Sequence, residues 1–313
     1  MSNSVPKLYD SKDRLIQLVL DSLPSPKSKS AYRSSLERFL TWFRASGLNG
    51  FTRATVMQYR AALLESGLSC ATVNLHLSAV RKLAQEAADN GLLTPQLATG
   101  INRIKGVKKE GVRTGNWLTV SQAEQLLNSP DAGTLAGKRD RALLGVLMGC
   151  GLRRSEIAKL TYGHIQQREA RWVIVDLVGK GNRTRSIPMP GWCKAQIDNW
   201  SAAASVSEGF VFRPVDKGDS IRGEQMTAQS IFEAVKKYAG RCDLKIAPHD
   251  LRRSFAKLAH KGKAALEQIQ LSLGHASIVT TERYLGVRQD LTDAPCDHLG
   301  ISVTTEDPSP VEQ

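Results

Sequence analysis

The sequence predicts a mainly α-helical protein of two domains that carries one small antiparallel β-sheet. Three observations support this. Apolar residues recur at three- and four-residue spacing through most of residues 11–104 and again from Gly191 onward, the period of helices with one buried face. Short strand-like runs are confined to Ile165, Trp172–Val175 and Thr184–Ile187, with Gly179-Lys180-Gly181-Asn182 as the turn between the last two. Between these regions lies Lys105–Gly115, rich in glycine and positive charge and poor in apolar residues, which reads as a linker.

The first domain is expected to be a small set of helices. Ser11 to Leu20 presents Leu15, Ile16, Leu18, Val19 and Leu20, and Pro24-Ser25-Pro26 breaks it. Ser28 to Ala45 places Tyr32, Leu36, Phe39, Leu40 and Phe43 on one side. Thr52 is the expected N-cap of a helix that runs to Ser66 and stops at Gly67. Ala71 to Asn90 carries Leu75, Leu77, Val80, Leu83 and Ala84 and ends at Gly91.

The second domain is expected to begin near Trp117. Ser121 reads as an N-cap with Glu124 three residues on, giving a helix to Leu127. Lys138 to Met148 is mostly apolar and therefore buried. Gly149-Cys150-Gly151 turns the chain, and Arg154 to Leu160 resumes as a short helix. After the strands, helices are expected over Lys194–Ala203, Ala228–Tyr238, Leu251–His260 and Ala264–Leu273. A last short helix carries Thr280, Thr281 and Tyr284. The resulting division is residues 1–104, linker 105–116, second domain 117–294 and an acidic tail 295–313, its end disordered.

Charge narrows the function. The chain of 313 residues has a formal net charge of +13 and a sequence pI near 9.7, a balance that points to a polyanion, most commonly nucleic acid. Residues 1–117 hold 17 Lys/Arg against 8 Asp/Glu, whereas residues 289–313 hold six acids and no Lys or Arg. Both domains are thus basic, as expected if both touch one polyanion. Lys29, Arg33, Arg81, Lys82, Lys108, Lys109, Arg183 and Arg185 are the expected phosphate contacts. Five cysteines without a CxxC pair argue against a disulfide framework or a zinc site, and fit a reducing cytosol. No signal peptide and no apolar run of membrane length is evident, so a soluble, cytoplasmic, nucleoid-associated protein is expected.

The chemistry-bearing residues cluster near the C-terminus. Between Pro248 and Gly286 stand His249, Arg252, His275 and Tyr284. His249 and Arg252, three apart, share the entry face of one helix, and His275 follows Gly274 at a helix stop. A guanidinium can grip phosphate oxygens, imidazoles can move protons, and a phenol can act as nucleophile. Upstream, Arg153 follows the turn that ends the buried helix, with Glu156 placed to hold it. Lys180 sits on the glycine-flanked hairpin tip, from which it can reach a leaving-group oxygen. Each residue alone also has an ordinary structural reading; the ordered set does not.

The stretches GLRRSE (151–156), GKGNRTRSIPM (179–189), HDLRRSFA (249–256), LGH (273–275) and TTERY (280–284) resemble the tyrosine recombinase, or phage integrase, family. The first domain is similar to that family's helical, SAM-like core-binding domain through residues 28–43 and 69–84. The resemblance implies a core-binding domain and a catalytic domain that form a C-shaped clamp on DNA. It implies Arg153, Lys180, His249, Arg252, His275 and Tyr284 as catalytic residues, Glu156 in support, and cutting and rejoining of DNA through a 3′-phosphotyrosine. No cofactor and no metal are implied. The implied partners are double-stranded DNA with paired half-sites and a homotetramer in the synaptic complex, with accessory proteins as a further class and no membrane. Arg253 stands where many relatives place a second histidine. The segment after Tyr284 is shorter and more acidic than the helix many relatives pack onto a neighbouring protomer. Competing functions are a type IB topoisomerase-like nicking-closing enzyme and a non-catalytic DNA-binding protein.

Overall fold

A computed structural model describes residues 12–108, 116–179 and 183–285. The chain divides into two compact units, Met1–Val112 and Arg113–Gln313. Among the described residues no helix is long and apolar enough to cross a membrane.

The first unit is all helical: α1 (Lys12–Asp21), α2 (Pro26–Ala45), α3 (Arg53–Glu65), α4 (Cys70–Asp89) and α5 (Pro95–Asn102). The expected apolar faces form its core, with Leu36, Phe39, Leu40 and Phe43 of α2 meeting Val73, Leu77, Val80 and Leu83 of α4. Leu75 is a correction: it is exposed, because it lies two residues from Leu77 and so on the opposite side of the helix. Thr52 caps α3 as expected, accepting from the Thr55 amide, and Ser69 caps α4 in the same way. Helix α5 was not expected. Its N-cap Thr94, Pro95 at the first helical position and the buried Ala98 and Ile101 explain it. The start of the expected linker is tied down. The Asn74 side chain donates to the Val107 carbonyl at 3.0 Å and accepts from the Val107 amide at 2.7 Å. Residues 109–115 and the acidic tail lie outside the described residues.

The second unit contains α6 (Val120–Asn128), α7 (Leu135–Gly149), the short α8 (Arg154–Ile157) and a 3₁₀ turn (Tyr162–His164). The strands β1 (Ile165–Arg168), β2 (Arg171–Val178) and β3 (Thr184–Pro188) follow, then α9 (Gly191–Ala204), α10 (Ala228–Arg241), α11 (Pro248–Lys261), α12 (Leu266–Leu273) and α13 (Ile278–Leu285). The sheet is antiparallel in the order β1-β2-β3, with a register shift between Ile174 and Leu177. One expectation is corrected: α6 is capped by Thr119, not Ser121. Thr119 Oγ1 accepts from the Gln122 amide, and Gln122 accepts from the Thr119 amide. This reciprocal pair satisfies two amides at once, and Ser121 then lies inside the helix.

Helix α7 anchors the unit. Ala142, Leu143, Leu144, Val146 and Leu147 are fully buried, each large side chain contributing roughly 1.5–3 kcal/mol on leaving water. Its rigid end delivers the chain into Gly149–Arg153. A separate cluster of Ala256, Ile269, Leu273 and Leu285 joins α11, α12 and α13. These two cores hold the elements that carry the predicted functional side chains.

Candidate active site

Helix α11 begins at Pro248, whose fixed φ and missing amide proton suit the first helical position. Asp250 accepts from the Ala247 amide at 3.0 Å and secures that first turn. The turn presents His249, and one turn further Arg252 enters the interior with 1 % exposure. Arg252 Nη1 donates to the Gly151 carbonyl at 2.7 Å, and Nη2 donates to the Leu273 carbonyl. A buried guanidinium needs such acceptors, and these two fix the direction of its fork.

Gly151 has φ +61, and a Cβ there would lie 2.6 Å from Phe255 Cδ1. Backbone conformation and close packing therefore both require glycine at this turn. The chain leaves it to place Arg153 at the start of α8. Glu156, 3 % exposed, accepts from the Arg153 amide at 2.8 Å and from Arg153 Nη1 at 2.7 Å. The expectation that Glu156 holds Arg153 agrees with this geometry.

Leu152, Arg153, Arg154, Ser155, Phe232, Ala247, Pro248, His249 and Arg252 line a cleft of about 370 Å³. Sequence segments about a hundred residues apart thus place three arginines and an imidazole around one space. His275 follows α12, whose C-cap Gly274 adopts φ +60. Its amide donates to the Gln270 carbonyl at 3.2 Å, and its Nδ1 shares a 2.9 Å hydrogen bond with Thr281 Oγ1 on α13.

The electrostatics follow from this crowding of positive charge. The His275 pKa is pushed down to about 4, first by burial and then by the charges of Arg252 and Arg153. His249 is lowered by burial and by Arg253 and Arg252. Burial pushes the Glu156 carboxyl up, but hydrogen bonds from Arg185 and the Arg153 amide, with the Arg185 charge, outweigh it and hold the group below the usual range. These shifts favour neutral histidines and an ionised carboxylate at neutral pH, and the guanidiniums favour an anion in the cleft.

Tyr284 lies on the last turn of α13; its side chain and Lys180 fall outside the described residues. Val178 and Gly179 lead into the hairpin turn, and the Gly179 amide donates to the Arg183 carbonyl at 2.8 Å to close it. Among the expected DNA contacts, Arg33, Lys108 and Arg183 are exposed. Lys29 approaches Asp21 at 3.8 Å, and Lys82 pairs with Glu86 at 3.0 Å. Arg81 donates to the Ile104 carbonyl, so part of its fork serves the first unit's own backbone. Lys109 lies outside the described residues.

Arg185 is a correction. Its side chain is 9 % exposed and its guanidinium turns inward onto Glu156, so it is not a surface phosphate contact. A polar hairpin next to Arg183 suggested otherwise, and nothing local marks its partner 29 residues away. Nothing in TTERY marks Thr281 as the partner of His275. The carbonyls of Gly151 and Leu273 carry no sequence signal, since every residue has one. Among the described residues no group of three or more His, Cys, Asp or Glu could hold a metal ion.

Residues 116–290 match the phage integrase family, and residues 15–91 match the phage integrase N-terminal SAM-like domain. The tyrosine recombinase XerD of Pseudomonas aeruginosa is 31 % identical over 301 residues, covering 91 % of this chain and 96 % of that protein. XerD of Pseudomonas putida is 30 % identical, covering 87 % and 92 %, and XerC of Pseudomonas fluorescens is 29 % identical, covering 83 % and 85 %. In fold, the chain resembles a lambda integrase dimer bound to a core site, with TM-score 0.67, 14 % identity and coverage of 89 % and 95 %. It also resembles the XerH site-specific recombinase bound to its difH substrate, with TM-score 0.65, 19 % identity and coverage of 84 % and 76 %. By the match of residues 116–290 and its similarity to the Xer proteins over most of its length, the chain belongs to the phage integrase family of tyrosine recombinases.

Proposed function

We propose that this protein is a site-specific recombinase that cuts and rejoins double-stranded DNA through Tyr284. The convergence of Arg153, Arg252 and His249 on one cleft carries the proposal. A phosphodiester is an anion whose transition state gathers charge on its non-bridging oxygens, and two oriented guanidiniums stabilise that charge. A tyrosine hydroxyl has an ordinary pKa near ~10 and needs a base at neutral pH. His249, kept neutral by burial and by its arginine neighbours, accepts that proton. The Tyr284 oxygen bonds to phosphorus as the bond to the 5′-oxygen breaks. Lys180 gives its proton to the departing 5′-oxygen, and His275 hydrogen-bonds the phosphate. Glu156 orients Arg153.

The products are a 3′-phosphotyrosine and a 5′-hydroxyl. A 5′-hydroxyl from another strand reverses each step and seals a new junction, so no external energy source enters the balance. In this reading residues 1–104 form the core-binding domain, 105–116 the linker and 117–294 the catalytic domain, and both domains bind the same duplex. The DNA carries paired half-sites and four protomers assemble on two duplexes, with accessory proteins as further partners. The protein works in the cytoplasm, at the nucleoid.

A strand-exchange assay tests this reading. Two duplexes bearing a site selected by covalent capture are mixed with the protein. Recombinant duplexes are expected. Relaxation of supercoils without recombinant product would replace this function with nicking and closing.

A further inference from the structure

Arg185 lies at the junction of three candidate active-site segments. Its Nη1 and Nη2 donate to the two carboxylate oxygens of Glu156 at 3.0 and 2.9 Å, and its Nε donates to the Ser272 carbonyl at 3.0 Å. All three nitrogens are engaged. Glu156 in turn holds the amide and Nη1 of Arg153. Two glycines close over the same side chain. A Cβ on Gly274 would come within 2.9 Å of Arg185 Cδ, and one on Gly179 within 2.8 Å of its Nη1. Gly274 precedes His275, and Gly179 precedes Lys180. One side chain thus touches the support of Arg153, the approach to His275 and Gly179 at the end of β2.

A requirement for stability alone does not explain this arrangement. Burying an ion pair costs both partners their hydration, and apolar residues of similar volume commonly serve a core as well or better. A bidentate pair adds direction, because its two parallel bonds fix both planes. Resting on the reading of this chain as a recombinase, we propose that Arg185 is a positioning residue: it locks Glu156, and through it Arg153, in register with Gly179 at the end of β2 and with the His275 turn.

The role separates cleavage from binding. The test uses nicked duplexes selected from a randomised library by covalent capture with the wild-type protein. Single-turnover capture by Arg185→Lys and Arg185→Gln is expected to fall on the order of 10- to 100-fold, the cost of a small misplacement of reacting groups. Affinity for the same DNA is expected to stay within about threefold, with an unchanged salt slope. A phosphate contact would instead weaken binding and lower that slope by about 1. In Arg185→Gln the acid limb of the rate profile moves to higher pH, because Glu156 loses the Arg185 bonds and charge that help keep it ionised. Arg185→Gln combined with Glu156→Gln is expected to be no slower than Glu156→Gln alone.

Capture by Arg185→Lys at the wild-type rate would overturn the positioning role, even if Arg185→Gln unfolds, because Arg185 would then serve the fold alone. A lowered salt slope with weakened affinity would overturn it in favour of DNA contact. A wild-type protein that captures no DNA overturns the recombinase reading and this role with it.

Discussion

Arg252 donates to the carbonyl oxygen of Gly151 at 2.7 Å, a bond that spans 101 residues of sequence. It fixes the entry of α11 to the turn that delivers Arg153, so the two proposed phosphate-binding guanidiniums share a support. Arg252→Lys is expected to lower DNA cleavage at least ~100-fold, since an ammonium cannot reproduce a fork held by two carbonyls. Arg252→Ala is also expected to lose about 2–4 kcal/mol of stability, leaving those carbonyls unpaired around a void. Single-turnover cleavage and urea denaturation measure the two effects separately.

Gly151 is the second half of that support. Gly151→Ala forces a Cβ to within 2.6 Å of Phe255 at a φ of +61. A loss of stability of about 2 kcal/mol or more is expected. Adding Phe255→Ala is expected to recover only part of it, because the backbone strain remains. Denaturation midpoints of the single and double variants decide this.

Most of this architecture was legible in the sequence, and the exceptions share a cause. The faces of α2 and α4 were readable because burial imposes a 3.6-residue period on neighbouring positions. Helix α5 shows no clear period in the sequence because its eight residues give that period little room. Thr119 and Ser121 are both capping residues, and only the reciprocal bonds with Gln122 choose between them. Arg153, Glu156, His249 and Arg252 were readable from motif and spacing. The inward turn of Arg185 was not, because its partners lie 29 and 87 residues away in sequence. Contacts of that kind belong to tertiary structure.

His275 predicts a pH dependence. Its folded pKa is pushed down to about 4, by burial and then by Arg252 and Arg153, whereas the unfolded value is near ~6.5. As pH falls, the unfolded chain takes up this proton first. The stabilisation is complete above about pH 6.5 and is lost progressively down to the folded value. His249, also lowered, acts in the same direction; Glu156, a lowered carboxylate, loses its contribution only at more acid pH. The urea midpoint is expected to fall from pH 7 to pH 5, and less steeply in His275→Gln. A bound phosphodiester opposes the arginine charges, so DNA binding near pH 6 is expected to take up protons. Calorimetry in buffers of different ionisation enthalpy would detect that uptake.

Thr281 is fully buried and shares a 2.9 Å hydrogen bond with His275 Nδ1. Thr281→Val keeps the shape and removes the hydroxyl. The fold is expected to lose about 1–2 kcal/mol. Cleavage is expected to fall roughly tenfold, because His275 loses the partner that sets its ring. Affinity for DNA measured beside the cleavage rate separates this from a general loss of structure.

The nucleophile is the centre of the account. A nicked suicide substrate, which loses its 5′-hydroxyl fragment on cleavage, traps any covalent intermediate. The wild-type protein is expected to form an adduct with DNA that survives denaturation, and Tyr284→Phe is expected to form none while binding the same DNA with unchanged affinity. An adduct that persists in the Tyr284→Phe protein, or a wild-type protein that binds and forms none, would contradict the account.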